Sequence, residues 1–195
     1  GHIGDDDIFY NCNKGEDFSF ITGLTKMGIE TIPPLVGRGV LINMAKHHGV
    51  SSMYGGQGIT REDIKKAIKK QNIELKKGDI ILFHTGWTDA KLKSSPEEWG
   101  ASIPGITNDA AVYLSEFKPM AVGADTWGLG AVPPIEGDKV YYDHVTLIKE
   151  NGIYILETMD TGKLAKENVT EFMFVLGQPK LKGAVQMIIN PVALW

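Results

Sequence analysis

A histidine and a glutamate lie on either side of an apolar segment, at a spacing that could hold a metal ion. His144 precedes the Asn151-Gly152 dipeptide, which is a strong turn signal. Residues 153–156 are β-branched, aromatic or aliphatic, a composition that predicts a buried strand. Glu157 ends this strand, and a carboxylate that emerges from a core is costly to bury unless a cation or a hydrogen-bond partner compensates it.

The histidine and the glutamate have two interpretations. A β-turn-β unit that returned His144 beside Glu157 would form half of a metal site, because imidazole and carboxylate groups bind divalent metals. The alternative is a surface histidine and a glutamate that faces water at the strand end. The spacing alone favours this simpler interpretation, since short motifs often match by chance.

Composition excludes several classes of protein. The chain has 195 residues, 43% of them hydrophobic and 23% charged, which is typical of one globular domain. A net charge of −4 argues against a basic nucleic-acid surface. The single Cys12 cannot form an internal disulfide and suits a reducing compartment, and no apolar run approaches the ~20 residues of a membrane span. We therefore expect a cytoplasmic protein without nucleic-acid or membrane partners.

Strand and helix signals alternate along the chain, which predicts a mixed α/β fold. Thr60 and Asp63 resemble a capping box that opens one helix, and Thr107 is expected to cap a second helix. Residues 1–36 lack a periodic pattern, residues 94–106 are predicted to be a loop, and residues 164–167 at most a helical turn. The predicted strands are residues 38–44, 80–84, 120–123, 153–158, 172–176 and 184–189.

Other polar and aromatic residues follow predicted strands, where α/β proteins often place reactive groups. Asp125 could orient a ligand or hold its loop, and Trp127 could stack on an aromatic substrate or simply be half-buried. His84 is expected to be structural, whereas the adjacent His47 and His48 are expected at the surface. The chain has no Gly-x-Ser-x-Gly motif, so a serine hydrolase is not supported.

Several segments, in order, resemble the metal-dependent cyclase family, which includes bacterial kynurenine formamidase and isatin hydrolase. The similarity is closest to the longer members and covers nearly the whole chain. The matching segments are Gly1-His2-Ile3-Gly4 with Ile8-Phe9-Tyr10-Asn11, Gly37-Arg38-Gly39-Val40-Leu41, Lys77-Gly78-Asp79-Ile80 with His84-Thr85-Gly86-Trp87, Val122-Gly123-Ala124-Asp125-Thr126-Trp127-Gly128, and residues 144–157.

The resemblance implies a swivelling β/β/α architecture, with a mixed sheet, a barrel-like core and peripheral helices. It also implies a divalent metal, zinc or manganese, with His144 and Glu157 among its ligands. The family motif is H-x-G-T-H-x-D-x-x-x-H, and His2 matches its last histidine, which acts as proton donor and acceptor. The other motif residues would lie before Gly1, so we expect residues 1–195 to be a single cyclase-like domain that is truncated at its N-terminus.

The implied function is hydrolysis of an amide, formamide or ester bond, including a cyclic one, in a small substrate, with aromatic substrates included. The residues expected to bind this substrate are Tyr10, Asn11, Asp125, Thr126 and Trp127. Two alternatives stay open: a lyase or dehydratase that uses one metal as a Lewis acid, and a non-catalytic binding protein on the same fold. A homo-oligomer, dimer or tetramer, is expected from the family and from the aromatic residues of the N-terminal segment.

Overall fold

A six-stranded mixed sheet forms the centre of the computed structural model, which describes residues 1–195. The order of its strands is β10-β9-β3-β5-β7-β8, and two short two-stranded sheets, β1-β2 and β4-β6, lie beside it. The strands are β1 (Ser19–Phe20), β2 (Gly23–Leu24), β3 (Leu35–Asn43), β4 (Gly58–Ile59), β5 (Ile80–His84), β6 (Gly105–Ile106), β7 (Ala121–Ala124), β8 (Tyr154–Leu156), β9 (Glu171–Leu176) and β10 (Val192–Leu194).

Helices connect these strands. One of them, α6, runs directly into a π-helix at Val145–Glu150, and short 3₁₀ turns occupy part of the N-terminal segment. No helix is both long and apolar enough to cross a membrane. The α-helices are α1 (Met44–His48), α2 (Arg61–Lys70), α3 (Trp87–Lys91), α4 (Pro96–Ala101), α5 (Asn108–Glu116), α6 (Tyr142–His144) and α7 (Gly162–Lys166).

The strands β3, β5, β7 and β8 pair in parallel, whereas β9 and β10 add to the sheet in antiparallel orientation. Every residue of β5 is buried, as expected for a parallel strand that is covered on both faces. Its side chains alternate between two apolar layers. Ile81 and Phe83 belong to the layer that includes α2 and α5 residues, and Ile80 and Leu82 belong to the layer that includes β9 residues.

The start of α2 confirms the predicted capping box. The backbone N–H of Asp63 donates to the hydroxyl of Thr60 at 3.2 Å, and the backbone N–H of Thr60 donates to Oδ2 of Asp63 at 3.0 Å. Ile64 and Ala67 then lie in the core. Thr107 also stands at a helix N-cap, but its side chain does not cap the helix and instead donates to the carbonyl of Ile59.

Most predicted elements are confirmed, but those for residues 94–106 and 184–189 are wrong. Residues 94–106 contain α4, because Pro96 at the first helical position presets the backbone for a helix. Residues 184–189 do not form a strand; the strand of this region is β10, after Pro191. The carbonyl of Ala184 instead accepts a hydrogen bond from Ile29 N–H, so this apolar segment packs against the N-terminal region rather than adding to the sheet.

The Thr60→Ala variant tests the capping box. Removal of the hydroxyl leaves the N–H of Asp63 without its acceptor, so the free energy of unfolding should fall by about 1 kcal/mol. The Thr60→Ser variant keeps the hydroxyl and serves as the matched control. Urea unfolding of both variants measures the difference, and equal stabilities would contradict the capping role.

Candidate active site

A cavity of about 900 Å³ lies beside β8. Of the 35 residues that line it, 23 are hydrophobic, so its walls suit a ligand with a nonpolar body. Most of the lining residues come from the N-terminal segment, β8, β9 and the C-terminal segment before β10. His2, His144 and Glu157 all line this cavity, and they introduce titratable groups into a mostly apolar surface.

The structure brings His144 and Glu157 together. Nε2 of His144 lies 3.1 Å from Oε1 of Glu157, and the imidazole is buried while the carboxylate is about one third exposed, with 31% of its side-chain surface accessible. Two ligands bound at ~2.0–2.1 Å with tetrahedral angles would lie about 3.3 Å apart. The two atoms therefore stand at nearly the separation that one metal ion requires, and the donor set fits a divalent cation.

The predicted β-turn-β unit is wrong, although the turn within it is present. His144 is the last residue of α6 and precedes the π-helix, and the chain then turns at Gly152, with φ of 65°, into β8. A π-helix is wider than an α-helix, so its buried residues do not repeat with the usual helical period. Val145, Thr146 and Leu147 are buried in succession, which resembles a strand in the sequence.

Asp143 orients the imidazole of His144. Nδ1 of His144 donates to Oδ2 of Asp143 at 3.0 Å, and this carboxylate is only 2% exposed. Nε2 is thereby directed toward Glu157 at the cavity, and histidine ligands of metals commonly have their second ring nitrogen held in this way. Burial alone lowers the pKa of His144, but hydrogen bonds to Asp143 and Glu157 outweigh it and raise the pKa to about 9. Sequence reasoning missed Asp143, although it directly precedes the histidine.

His2 stands beside this pair without joining it. The centroids of the His2 and His144 rings are 6.0 Å apart. Burial lowers the pKa of His2, and the nearby charge of His144 lowers it further, whereas Glu157 acts in the opposite direction. The neutral imidazole is therefore favoured, and that form can accept a proton.

The residues expected to bind substrate divide into two groups. Tyr10 and Trp127 line the cavity, and the indole N–H of Trp127 donates to the carbonyl of Trp99 at 2.8 Å. Asn11 and Thr126 are not among the lining residues. Asn11 is exposed and adopts φ of 56°, and the buried hydroxyl of Thr126 donates to the carbonyl of Gly128.

Asp125 also lies outside the cavity lining and has several hydrogen-bond partners within the protein. Its carboxylate accepts from the N–H and the hydroxyl of Thr85, at 2.8 and 2.7 Å, and from the N–H of Gly86 at 2.8 Å. His84 is buried nearby, with Nδ1 2.8 Å from the hydroxyl of Thr161. These contacts join the ends of β5 and β7, so the geometry favours the second interpretation of Asp125, that it holds its loop.

Comparison with known proteins identifies the family. The model of the Cyclase family, described as "Putative cyclase", matches residues 17–131, which is more than half of the chain. The chain therefore belongs to the cyclase family. The matched range includes Asp125, Thr126 and Trp127, whereas His2, His144 and Glu157 lie outside it. No protein with a curated function matches the sequence significantly.

Solved structures share the fold. A protein described as a novel cyclase superposes with a TM-score of 0.83 at 29% identity, and the alignment covers 100% of this chain but 65% of that protein. A potential metal-dependent hydrolase with cyclase activity gives 0.61 at 22% identity, covering 85% of this chain and 69% of the other. Isatin hydrolase A from Ralstonia solanacearum gives 0.68 at 19% identity, covering 89% and 67%. The expected mixed α/β fold class is confirmed.

Substitution of Asp125 distinguishes a structural carboxylate from one that binds substrate. Asp125→Ala leaves the buried donors of Thr85 and Gly86 without their acceptor, so the free energy of unfolding should fall by about 2–4 kcal/mol. The control is Asp160→Ala, which removes an exposed carboxylate that lines the cavity and should change stability by less than about 0.5 kcal/mol. Unchanged stability of Asp125→Ala in thermal and urea unfolding would contradict the structural role.

Proposed function

We propose that the protein is a metal-dependent hydrolase that cleaves an amide, formamide or ester bond, including a cyclic one, in a small substrate. The observation that carries the proposal is the pair formed by His144 Nε2 and Glu157 Oε1, 3.1 Å apart at the edge of an apolar cavity. Asp143 supports the imidazole from behind. The neighbours with a described activity include a potential metal-dependent hydrolase and an isatin hydrolase, which supports hydrolysis as the class of reaction.

His144 and Glu157 would hold the cation. An imidazole and a carboxylate suit zinc or manganese, and the cation would act as a Lewis acid and activate water for hydrolysis. Two protein ligands are fewer than the three of typical catalytic zinc sites. We expect the remaining ligands at the earlier positions of the family motif, before Gly1.

His2 would transfer protons. Its imidazole lines the same cavity as the pair and is favoured in the neutral form. It can accept a proton from the attacking water and pass it to the leaving nitrogen or oxygen, as a general base that becomes a general acid. Its ring centroid lies 6.0 Å from that of His144, so both imidazoles could act on one group bound in the cavity.

The walls of the cavity favour a substrate with a planar, nonpolar part. Trp127 and Tyr10 line the cavity together with aliphatic side chains. The indole of Trp127 is fixed by its hydrogen bond to the carbonyl of Trp99, so it presents a rigid aromatic surface. An aryl formamide, the substrate type of an arylformamidase, is therefore the first compound to test. We also propose that the protein acts in the cytoplasm.

Two substitutions in the full-length protein separate the roles of ligand and proton carrier. Glu157→Ala removes a ligand, so metal content and activity should fall together. His2→Ala should retain the metal while kcat falls by about 10²–10⁴-fold, the usual contribution of a positioned acid/base group. Metal content is measured by inductively coupled plasma mass spectrometry, and turnover with an aryl formamide.

The control for these variants is Glu150→Ala, which removes an exposed carboxylate at the end of the π-helix and should change neither quantity. Loss of the metal in His2→Ala would make His2 a ligand instead. Full metal content in Glu157→Ala would overturn the proposed site. Incorporation of ¹⁸O from labelled water into the product is expected for hydrolysis, and its absence would favour the lyase alternative.

We also propose that the protein forms a homo-oligomer. Ile21 is fully exposed in the turn after β1, and Phe20 at the end of β1 and Tyr10 in the same N-terminal segment are about half exposed. Phe18 differs, because it is fully buried and packs edge-on against Phe9. Exposed apolar groups of this kind often form contact surfaces.

Sedimentation of the full-length protein tests the oligomeric state. A dimer or tetramer is expected at micromolar concentration, and Phe20→Ser combined with Ile21→Ser should shift the equilibrium toward the monomer because it removes exposed apolar surface. The control is Val112→Ser, which changes an exposed residue of α5. A wild-type monomer would refute the proposal.

A further inference from the structure

Two histidines and an aspartate cluster away from the cavity. His47 and His48 end α1, and Asp63 lies in the first turn of α2. One ring nitrogen of each histidine and one carboxylate oxygen of Asp63 all lie within 4.8 Å of one another. Nδ1 of His47 is buried and has no hydrogen-bond partner, and a buried polar atom in that state is costly unless a ligand compensates it.

We propose that His47, His48 and Asp63 form a second divalent-cation site, which takes Zn²⁺ or a similar borderline metal and fastens α1 to α2. None of the three residues lines the cavity, so this site is separate from the one formed by His144 and Glu157. Two imidazoles and one carboxylate are a donor set that zinc accepts, with water in the remaining position.

The local structure holds the donors in place before a metal binds. The side chain of Asn43 caps α1 by accepting from the N–H of Lys46 at 2.8 Å, and Gly49 ends the helix in the left-handed conformation. Asp63 is fixed by the capping box of α2, whose bonds from Thr60 go to Oδ2. Oδ1 of Asp63 therefore keeps its lone pairs for a cation.

The distances require only a small adjustment. Ligand atoms that share one cation at ~2.1 Å lie about 3–4 Å apart, so the cluster must contract by about 1 Å relative to its present limit of 4.8 Å. His48 is exposed, and an exposed side chain can change rotamer at low cost. The rings of His47 and His48 already stand edge to face, with centroids 5.0 Å apart.

Neighbouring charges set the expected affinity. The ammonium group of Lys70 donates to the carbonyl of His47 at 3.3 Å, and Lys66 also lies near the imidazole. Asp63 is the one negative group among these neighbours, so its carboxylate supplies the charge that attracts a cation to the cluster. The lysines oppose a cation, so we expect weaker binding than at a site without neighbouring positive charges.

Zinc binding to the full-length protein, measured by equilibrium dialysis and calorimetry, tests this site. His48→Ala should reduce the bound zinc by one equivalent, or weaken that equivalent at least 10-fold, and should leave the catalytic activity unchanged. Asp63→Asn should weaken the same equivalent, whereas Glu62→Gln removes the adjacent exposed carboxylate and serves as the matched control. Glu157→Ala should retain this equivalent, which separates the two metal sites.

Thermal unfolding provides a second readout, because a ligand that binds only the folded state stabilises it. Zn²⁺ at about 100 times its dissociation constant should raise the Tm of Glu157→Ala by roughly 5 °C, and His48→Ala should abolish this rise in the same background. Equal zinc stoichiometry and affinity in wild type and His48→Ala would overturn the proposal. If His48→Ala lost catalytic activity but kept its zinc content, this result would also overturn the proposal.

Discussion

Parallel pairing of β7 with β8 is the constraint on which the candidate site depends. Val122 pairs with Ile155 and Gly123 with Leu156, and this register determines where Glu157 leaves the sheet. Gly123 permits the close approach, because a Cβ at this position would collide with the carbonyl oxygen of Leu156. The segment between β7 and β8 must therefore place His144 beside the end of β8, next to Glu157.

The segment between β7 and β8 is anchored in the core after His144, and this anchoring fixes the orientation of the imidazole. Leu147 belongs to the larger apolar layer, and its carbonyl accepts from the N–H of Ile153 at 2.8 Å. π-helical turns are uncommon and frequently occur at functional sites. Here the π-helix joins α6 to the turn before β8, so packing of its buried face and hydrogen bonding by Asp143 together determine the direction of the imidazole.

Local patterns in the sequence predicted much of the fold. The bounds of β5 and the capping box of α2 were correct because each depends on a few neighbouring residues. The spacing of His144 and Glu157 favoured separate surface positions, and only the resemblance to the family implied that both bind one metal. The π-helix between them was not predicted, since it leaves no regular hydrophobic period. The role of Asp143 could not be found from sequence, because it depends on the side-chain direction that tertiary packing selects. Asp125 shows the same limit: its position after a strand was clear, but its partners at the end of β5 were not.

The central claim is that His144 and Glu157 bind one cation. Anomalous diffraction from crystals of the full-length protein, recorded on both sides of the absorption edge of the bound metal, tests this claim most directly. The account predicts an anomalous peak within about 2.0–2.3 Å of both His144 Nε2 and a Glu157 carboxylate oxygen. Full metal occupancy with no peak at this position would contradict it.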